Sequence, residues 1–344
     1  MNPIMLSIIL SSLAMGTIIT MSSSHWLFAW IGLELNTLAI IPIIAMQHHP
    51  RATEAATKYF LTQAAASATL LFASTMNAWS TGTWDITQLT NKHACNMLTL
   101  ALSMKLGLAP LHFWLPEVLQ GTSLNTALLI TTWQKLAPVS LLYLTHNTIN
   151  PSMFLTMGLL STIIGGWGGL NQTQTRKIMA FSSIAHLGWM AAITTMNPDI
   201  LLLNLALYII MTTATFMTLI STTSKTIKDM SMSWTISPPL TALMLTLLMS
   251  LGGLPPLTGF MPKWLILQEL TTNNLSTTAI ILALSALLSL FFYLRLSYTS
   301  TLTTFPTSTM NNSKWRFYPK LPMLTLTVML LPALLLLPIT PALT

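Results

Sequence analysis

Lys105-Leu-Gly-Leu-Ala-Pro-Leu-His-Phe-Trp-Leu-Pro-Glu117 sets a lysine, a histidine and two prolines inside an apolar stretch, and its reading decides the fold. The pattern Gly107-Leu-x-Pro110-Leu-x-x-Trp114-x-Pro116-Glu117 returns without a gap as Gly253-Leu-x-Pro256-Leu-x-x-Phe260-x-Pro262-Lys263, which is 253 − 107 = 146 positions on. Proline removes a backbone donor and clashes with the turn before it. Each stretch therefore reads as two half-helices separated at Pro110 and Pro116 in the first case and at Pro255, Pro256 and Pro262 in the second. Two broken helices at matching places, each carrying a charge, are the sequence mark of a transporter made of two repeats.

Working outward, 53% of the 344 residues are hydrophobic and only 6% are charged, which excludes a soluble domain of this size. Apolar runs of about 20 residues, the length that crosses a bilayer as a helix, recur from end to end. The alternating ten-residue segments of a membrane barrel do not appear. The fold class expected is an all-α polytopic membrane protein. Eleven spans are read: Pro3–Met21, His25–Met46, Tyr59–Trp79, Ala94–Gly121, Thr126–Tyr143, Met153–Leu170, Ile178–Thr195, Leu201–Ser221, Pro238–Thr271, Thr277–Tyr298 and Met323–Pro338. They arrange as a first repeat over 1–148, a second over 149–298, and a loop with a last helix over 299–344. The first run lacks a basic leader and a clear cleavage site, so it reads as a retained span.

Loop charges give the orientation. Arg51, Lys58, Arg176, Lys177, Lys225, Lys228, Lys314, Arg316 and Lys320 follow even-numbered spans, and Arg295 sits at the same end of the tenth. Lys92 alone follows an odd-numbered one. The positive-inside rule then sets the N-terminus and the even loops on the cytoplasm-like side. The formal charge of +7 is spread over short loops, so it makes no nucleic-acid patch. Spans four and nine are five apart, so the two copies run in opposite directions. Glu117 then leans toward the positive-inside face and Lys263 toward the other.

Three lysines remain at membrane depth, Lys105, Lys135 and Lys263, with Glu34 as the matching acid. A charge at mid-span costs about 2.5–3.5 kcal/mol on insertion scales. Four such groups are expected to face the interior or water and to act together. Lysine suits a proton relay because burial weakens an ammonium's hold on its proton, and a nearby carboxylate restores it. Glu34 with Lys105 reads either as a switchable pair or as a structural tie between two helices. His112, in the first broken helix, and His186, in Ser182-Ser-Ile-Ala-His186, can bridge the line, since histidine titrates near neutral pH. His25, His48, His49, His93 and His146 fall at span ends, and Glu117 and Glu269 toward the membrane faces. Gly165-Gly-Trp-Gly-Gly169 reads as a close-packing surface.

The single cysteine, Cys95, excludes an internal disulfide and a cysteine-held cluster. No P-loop or Rossmann fingerprint is present, so the energy source is expected to be an ion gradient or a partner. Ala109-Pro-Leu-His-Phe-Trp-Leu-Pro-Glu-Val-Leu-Gln-Gly121, followed by Trp133-Gln-Lys135-Leu-Ala-Pro138, resembles the antiporter-like subunits of respiratory complex I. Met1-Asn-Pro, Trp30-Ile-Gly-Leu-Glu-Leu-Asn36 and the length are similar to the short, mitochondrially encoded animal form. The resemblance covers essentially the whole chain. It implies proton pumping from matrix to intermembrane space, with Glu34, Lys105, Lys135, Lys263, His112 and His186 in the family's functional positions. It also implies the mitochondrial inner membrane, with the even loops on the matrix side. Flavin, iron–sulfur clusters and quinone are then expected in partner subunits, and a neighbouring antiporter-like subunit against the flank that longer relatives cover with three extra helices. Two other readings stand beside it: a self-sufficient cation/proton antiporter, which would need an acidic mid-membrane site, and a scaffold whose charges only join helices.

Overall fold

The computed structural model describes residues 3–235, 237–302 and 324–340. Lys314, Arg316 and Lys320, and most of the expected connection before the last helix, lie outside them. Among the described residues the regular structure is helical, joined by two isolated bridges, His25 with Asp85 and Gln174 with Thr226.

The helices are α1 Pro3–Ser22, α2 Trp26–Ala45, α3 Pro50–Thr81, α4 Lys92–Leu106, α5 Trp114–Gly121, α6 Leu124–Thr131, α7 Trp133–Leu144, α8 Pro151–Gly169, α9 Thr175–Ile193, α10 Pro198–Ser221, α11 Ile227–Met232, α12 Pro238–Gly252, α13 Phe260–Thr272, α14 Ser276–Leu302 and α15 Leu324–Leu335. Among the described residues, five stretches are long and apolar enough to cross a membrane by length and composition: α1, α2, α6 with α7, α10 and α14. The apolar α12 and α15 are shorter.

Three expectations need correction. The third helix starts at Pro50, not Tyr59, because the His49 ring caps the Arg51 N–H and Pro50 takes the first helical position, where no donor is needed. Arg51 and Lys58 are therefore helical, as is Lys92 at the start of α4 behind its Asn91 cap. The fifth span is two pieces. Thr132 leaves the helical path, and the Lys135 N–H turns back to the Thr132 carbonyl at 3.2 Å. Pro138, which cannot donate to the Gln134 carbonyl, follows within α7. Short α11 was not expected; Thr226 and Asp229 form a reciprocal cap at its start.

Packing divides the chain into two compact units, Met1–Ile164 with Ser183–Leu201, and Gly165–Ser182 with Leu202–Thr344. Helices α8, α9 and α10 each contribute residues to both units.

In the first unit α1 packs on α2, α2 on α3, and α3 on α4 and α5, while α7 touches α1, α2 and α4. Trp26, Leu33, Ile40, Leu70, Leu98, Leu102 and Leu141 are buried there. In a bilayer such association rests on close van der Waals contact. A methyl group on Gly16 would lie 2.4 Å from Asn36 Oδ1, which shows how near α1 and α2 approach. Outward, Ile4, Ile8, Phe28, Ile31, Leu61 and Phe72 are exposed, as lipid-facing side chains are.

In the second unit α12 packs on α14 and α15, and α11 and α13 also pack on α14. The glycine-rich end of α8 serves close approach as expected: a methyl on Gly168 would lie 2.3 Å from the Phe181 ring. Arg295 on α14 donates to the Leu170 carbonyl, so this basic residue is tied to the end of α8.

Candidate functional site

Both helix breaks begin with the same backbone device. In the first unit α4 ends at Leu106, and Gly107 adopts φ 79° and ψ 40°. The Gly107 N–H donates to the Ser103 and Met104 carbonyls and the Leu108 N–H to Ser103. In the second unit α12 ends at Gly252, and Gly253 adopts φ 81° and ψ 44°. There the Gly253 N–H donates to Met249 and Ser250, and the Leu254 N–H to Met249. Every donor and acceptor corresponds at the 146-residue offset. Glycine is required because this left-handed backbone costs other residues about 1–2 kcal/mol.

The breaks are thus opened by Gly107 and Gly253. Pro110, Pro255 and Pro256 lie in the irregular segments that follow. Pro116 and Pro262 lie in the first turns of α5 and α13, where a missing N–H costs nothing.

These capping bonds do not reach the final carbonyl of either helix, Leu106 in the first unit and Gly252 in the second, and the aligned peptide dipoles add roughly half a negative charge there. In the first unit Lys135 supplies the cation. Its side chain is 1% exposed, and Nζ donates to the Leu106 carbonyl at 2.6 Å. The same ammonium stands 5.4 Å from the centre of the Trp114 ring. Trp114 is held by its own N–H, which donates to the Met104 carbonyl at 3.1 Å, and by an edge-on contact with Tyr59.

In the second unit Lys263 does the corresponding work. It is partly buried, and Nζ donates to the Gly252 carbonyl at 2.8 Å. Leu106 and Gly252 are the same position of the repeated pattern, since 252 − 106 = 146. Gly259 permits the tight return of this segment: a methyl there would fall 1.7 Å from the Ser250 carbonyl oxygen.

Lys105 has a different setting. It is 4% exposed, and its Nζ has no hydrogen-bond partner among the described residues. Lys105 lines a small cavity with Leu33, Asn36, Tyr59, Gln63, Gln134 and Pro138. The cavity offers about 10 Å³ to a water's centre, room for one molecule. Both amide atoms of Asn36 and Oε2 of Glu34 are likewise buried and unpartnered among the described residues. The Gln134 amide reaches the Asn36 carbonyl at 3.4 Å, joining α7 to α2. Glu34 and Lys105 do not touch as the sequence reading of an ion pair anticipated. The orphaned Lys105 donor and the orphaned Asn36 amide both line this water-sized space, an arrangement that a bridging water satisfies.

Comparisons with known proteins bear on this geometry. Residues 23–289 match the family model described as NADH:quinone oxidoreductase/Mrp antiporter, TM. The chain belongs to this family. Residues 290–344 match the model for the C-terminus of NADH dehydrogenase subunit 2. A protein of Salmo salar named NADH-ubiquinone oxidoreductase chain 2 is 60% identical over 344 residues, covering 100% of this chain and 99% of that one. One of the same name from Xenopus laevis is 57% identical over 341 residues, with 99% of each covered. Among solved structures, a chain of respiratory complex I from Thermus thermophilus is similar at TM-score 0.82 and 26% identity, over 100% of this chain and 81% of that one. A chain of the Mrp complex from a Dietzia species shares the fold at TM-score 0.76 and 17% identity, over 86% and 60%.

Within this member of the NADH:quinone oxidoreductase/Mrp family, Glu34, Lys105, His112 and Lys135 lie in the first unit. His112 is buried, with Nδ1 unpartnered among the described residues. His186 is buried at mid-α9 in the same unit. Lys263 lies in the second unit. Sequence reasoning missed Asn36, Gln63 and Gln134; polar residues at lipid-excluded helix positions were the available signal. It also missed a surface ion cluster. Lys58 pairs with Glu54 at 2.6 Å and with Glu117 at 2.7 Å, so Glu117 is tied to α3. The i,i+4 spacing of Glu54 and Lys58 was legible; the third partner was not.

Proposed function

We propose that this chain is the proton-translocating membrane subunit of a respiratory NADH:ubiquinone oxidoreductase, moving protons along a buried Glu34, Lys105, His112, Lys135, His186 and Lys263 axis. The observation that carries this reading is the buried Lys105 ammonium facing a water-sized polar cavity beside Asn36, Gln63 and Gln134. The full-length likeness to proteins named NADH-ubiquinone oxidoreductase chain 2 supports the assignment to that enzyme.

The scheme is charge alternation. A proton enters near Glu34 and Lys105, passes to Lys135 by way of the histidines and water, and leaves at Lys263. Each lysine is a group that can hold a proton at a stated nitrogen and release it when a neighbouring charge changes. The driving redox chemistry, with its flavin, iron–sulfur clusters and quinone, belongs in this scheme to partner subunits.

Eleven spans in two inverted five-helix repeats are part of the same proposal. The matching hydrogen bonds of the two breaks support a duplicated plan. The basic residues that follow even-numbered spans support an orientation with those loops on the matrix side of the mitochondrial inner membrane. A 32-residue α3, about 48 Å long, exceeds the roughly 30 Å hydrocarbon core, and its exposed Arg51, Glu54 and Lys58 turns fit the overhang. A neighbouring antiporter-like subunit is the proposed cover for the largely exposed α1.

The test is Glu34→Gln and Lys105→Met in the assembled complex, reading protons moved per NADH oxidised. Both variants are expected to lose most pumping while assembly persists. Full pumping by either assembled variant refutes the axis.

A further inference from the structure

The two capping lysines carry a consequence about which ions the chain admits. Each broken helix ends with a final carbonyl that its glycine cap does not reach, at the negative end of the helix dipole. In membrane transporters built on discontinuous helices, such half-helix ends are where coupling cations are held. In this chain both ends are already occupied. Lys135 Nζ sits on the Leu106 carbonyl and over the Trp114 ring. Lys263 Nζ sits on the Gly252 carbonyl, the equivalent position of the repeated pattern.

The lysines come from different places to do this. Lys135 reaches back 29 residues from the next span, whereas Lys263 reaches 11 residues within its own broken helix. Equivalent acceptors filled by non-equivalent donors indicate that the occupied cation site is what the two halves share.

We propose that Lys135 and Lys263 are specificity-determining residues: each ammonium fills, as a cation fixed to the chain, a half-helix site that would otherwise accept an alkali metal ion. The site then exchanges protons and nothing larger. A tethered cation cannot leave, so the only charge it can give up is the proton on nitrogen. The aromatic face at the first site suits a large, weakly hydrated ion of ammonium or potassium size.

This inference rests on the family reading of a proton-translocating chain, but its test does not read pumping. Retention of radioactive Rb⁺ is measured on the purified, assembled complex with Lys135→Ala, Lys263→Ala, Lys135→Arg or Lys263→Arg in this chain. Rb⁺ is expected to be retained at about one ion per alanine substitution, and not by the unsubstituted complex. The arginine variants keep a permanent cation in place, so they are expected to exclude Rb⁺ as the unsubstituted chain does. Methylammonium is expected to displace the bound Rb⁺. An alanine variant that assembles only with methylammonium supplied also supports a vacated cation site. The proposal is overturned if assembled alanine variants retain no more Rb⁺ than the unsubstituted complex, or if arginine variants retain as much as alanine ones. It is overturned equally if an arginine variant assembles and its alanine counterpart does not even with methylammonium. Loss of pumping with Rb⁺ still excluded would leave the axis standing and remove this claim.

Discussion

Replacing Gly253 by alanine, with Gly107→Ala as its internal control, separates the backbone requirement of a helix break from the requirement for its lysine. The two glycines share the same left-handed conformation, φ 81° and 79°. Alanine at either position therefore carries the same strain, about 1–2 kcal/mol. Their surroundings differ. A methyl group on Gly253 would lie 2.9 Å from Lys263 Nζ and 3.0 Å from its Cδ. The side chain has to move, and the 2.8 Å contact with the Gly252 carbonyl goes with it. A hydrogen bond to a charged group is worth about 1.5–3 kcal/mol. A methyl on Gly107 meets only Leu115 and the Trp114 ring, at 3.1 Å and 3.4 Å, and leaves Lys135 on the Leu106 carbonyl. The expected result is two complexes of lowered thermal stability, of which Gly253→Ala is the less stable. Only Gly253→Ala is expected to lose pumping per NADH, together with the further loss of about 1.5–3 kcal/mol in stability. The assays are the temperature of half-inactivation and the proton to NADH ratio of the assembled complex in liposomes. Equal pumping by the two variants refutes the reasoning, since it would make the Lys263 contact irrelevant.

Two further expectations concern the partners of the first break. Trp114→Phe keeps a ring beside Lys135 but loses the N–H to Met104; because Met104 retains the Gly107 N–H at 3.2 Å, the cost is expected to be about 1 kcal/mol, read as a small fall in half-inactivation temperature, and a loss several times larger contradicts this bookkeeping. At the exposed end of α3, the hydrogen bond and charge of Lys58 hold the Glu54 carboxyl below the usual carboxylate range. A lowered carboxyl stabilises the fold above its unfolded value of about 4.3 and loses that contribution as pH falls through the folded one. Lys58→Met is therefore expected to weaken the complex at neutral pH and to converge with the unsubstituted complex in acid; a pH-independent difference would exclude the ion cluster as the cause.

The fold was legible where the physics is local. Apolar runs marked most helices, because length acts on the segment that carries it, and the repeated proline pattern marked where both breaks fall, although Gly107 and Gly253 open them. The start of α3 was missed because His49 caps through its ring, a less common device than a serine or aspartate. The bend at Thr132 was missed because its expression in the backbone precedes Pro138 by a turn and a half.

The site was legible as a set of residues and illegible as a set of contacts. Glu34, Lys105, Lys135 and Lys263 stood out because charge is rare at membrane depth. That Lys135 and Lys263 bind backbone carbonyls has no side-chain signature, since every residue carries that acceptor. The Glu34–Lys105 contact was expected from charge alone. In the first unit Lys105 instead lines a cavity with Asn36 and Gln63, whose roles neutral amide chemistry does not advertise.

The origin of each capping lysine gives the duplicated halves unequal latches. Where Lys135 lets go, α7 and α4 lose a bolt between separate rods, and either can slide or tilt against the other. Where Lys263 lets go, the slack stays inside one rod, between α12 and α13. In the proposed scheme, loss of the charge on either nitrogen weakens its hold on the carbonyl, between separate rods at one end of the duplication and within a single rod at the other.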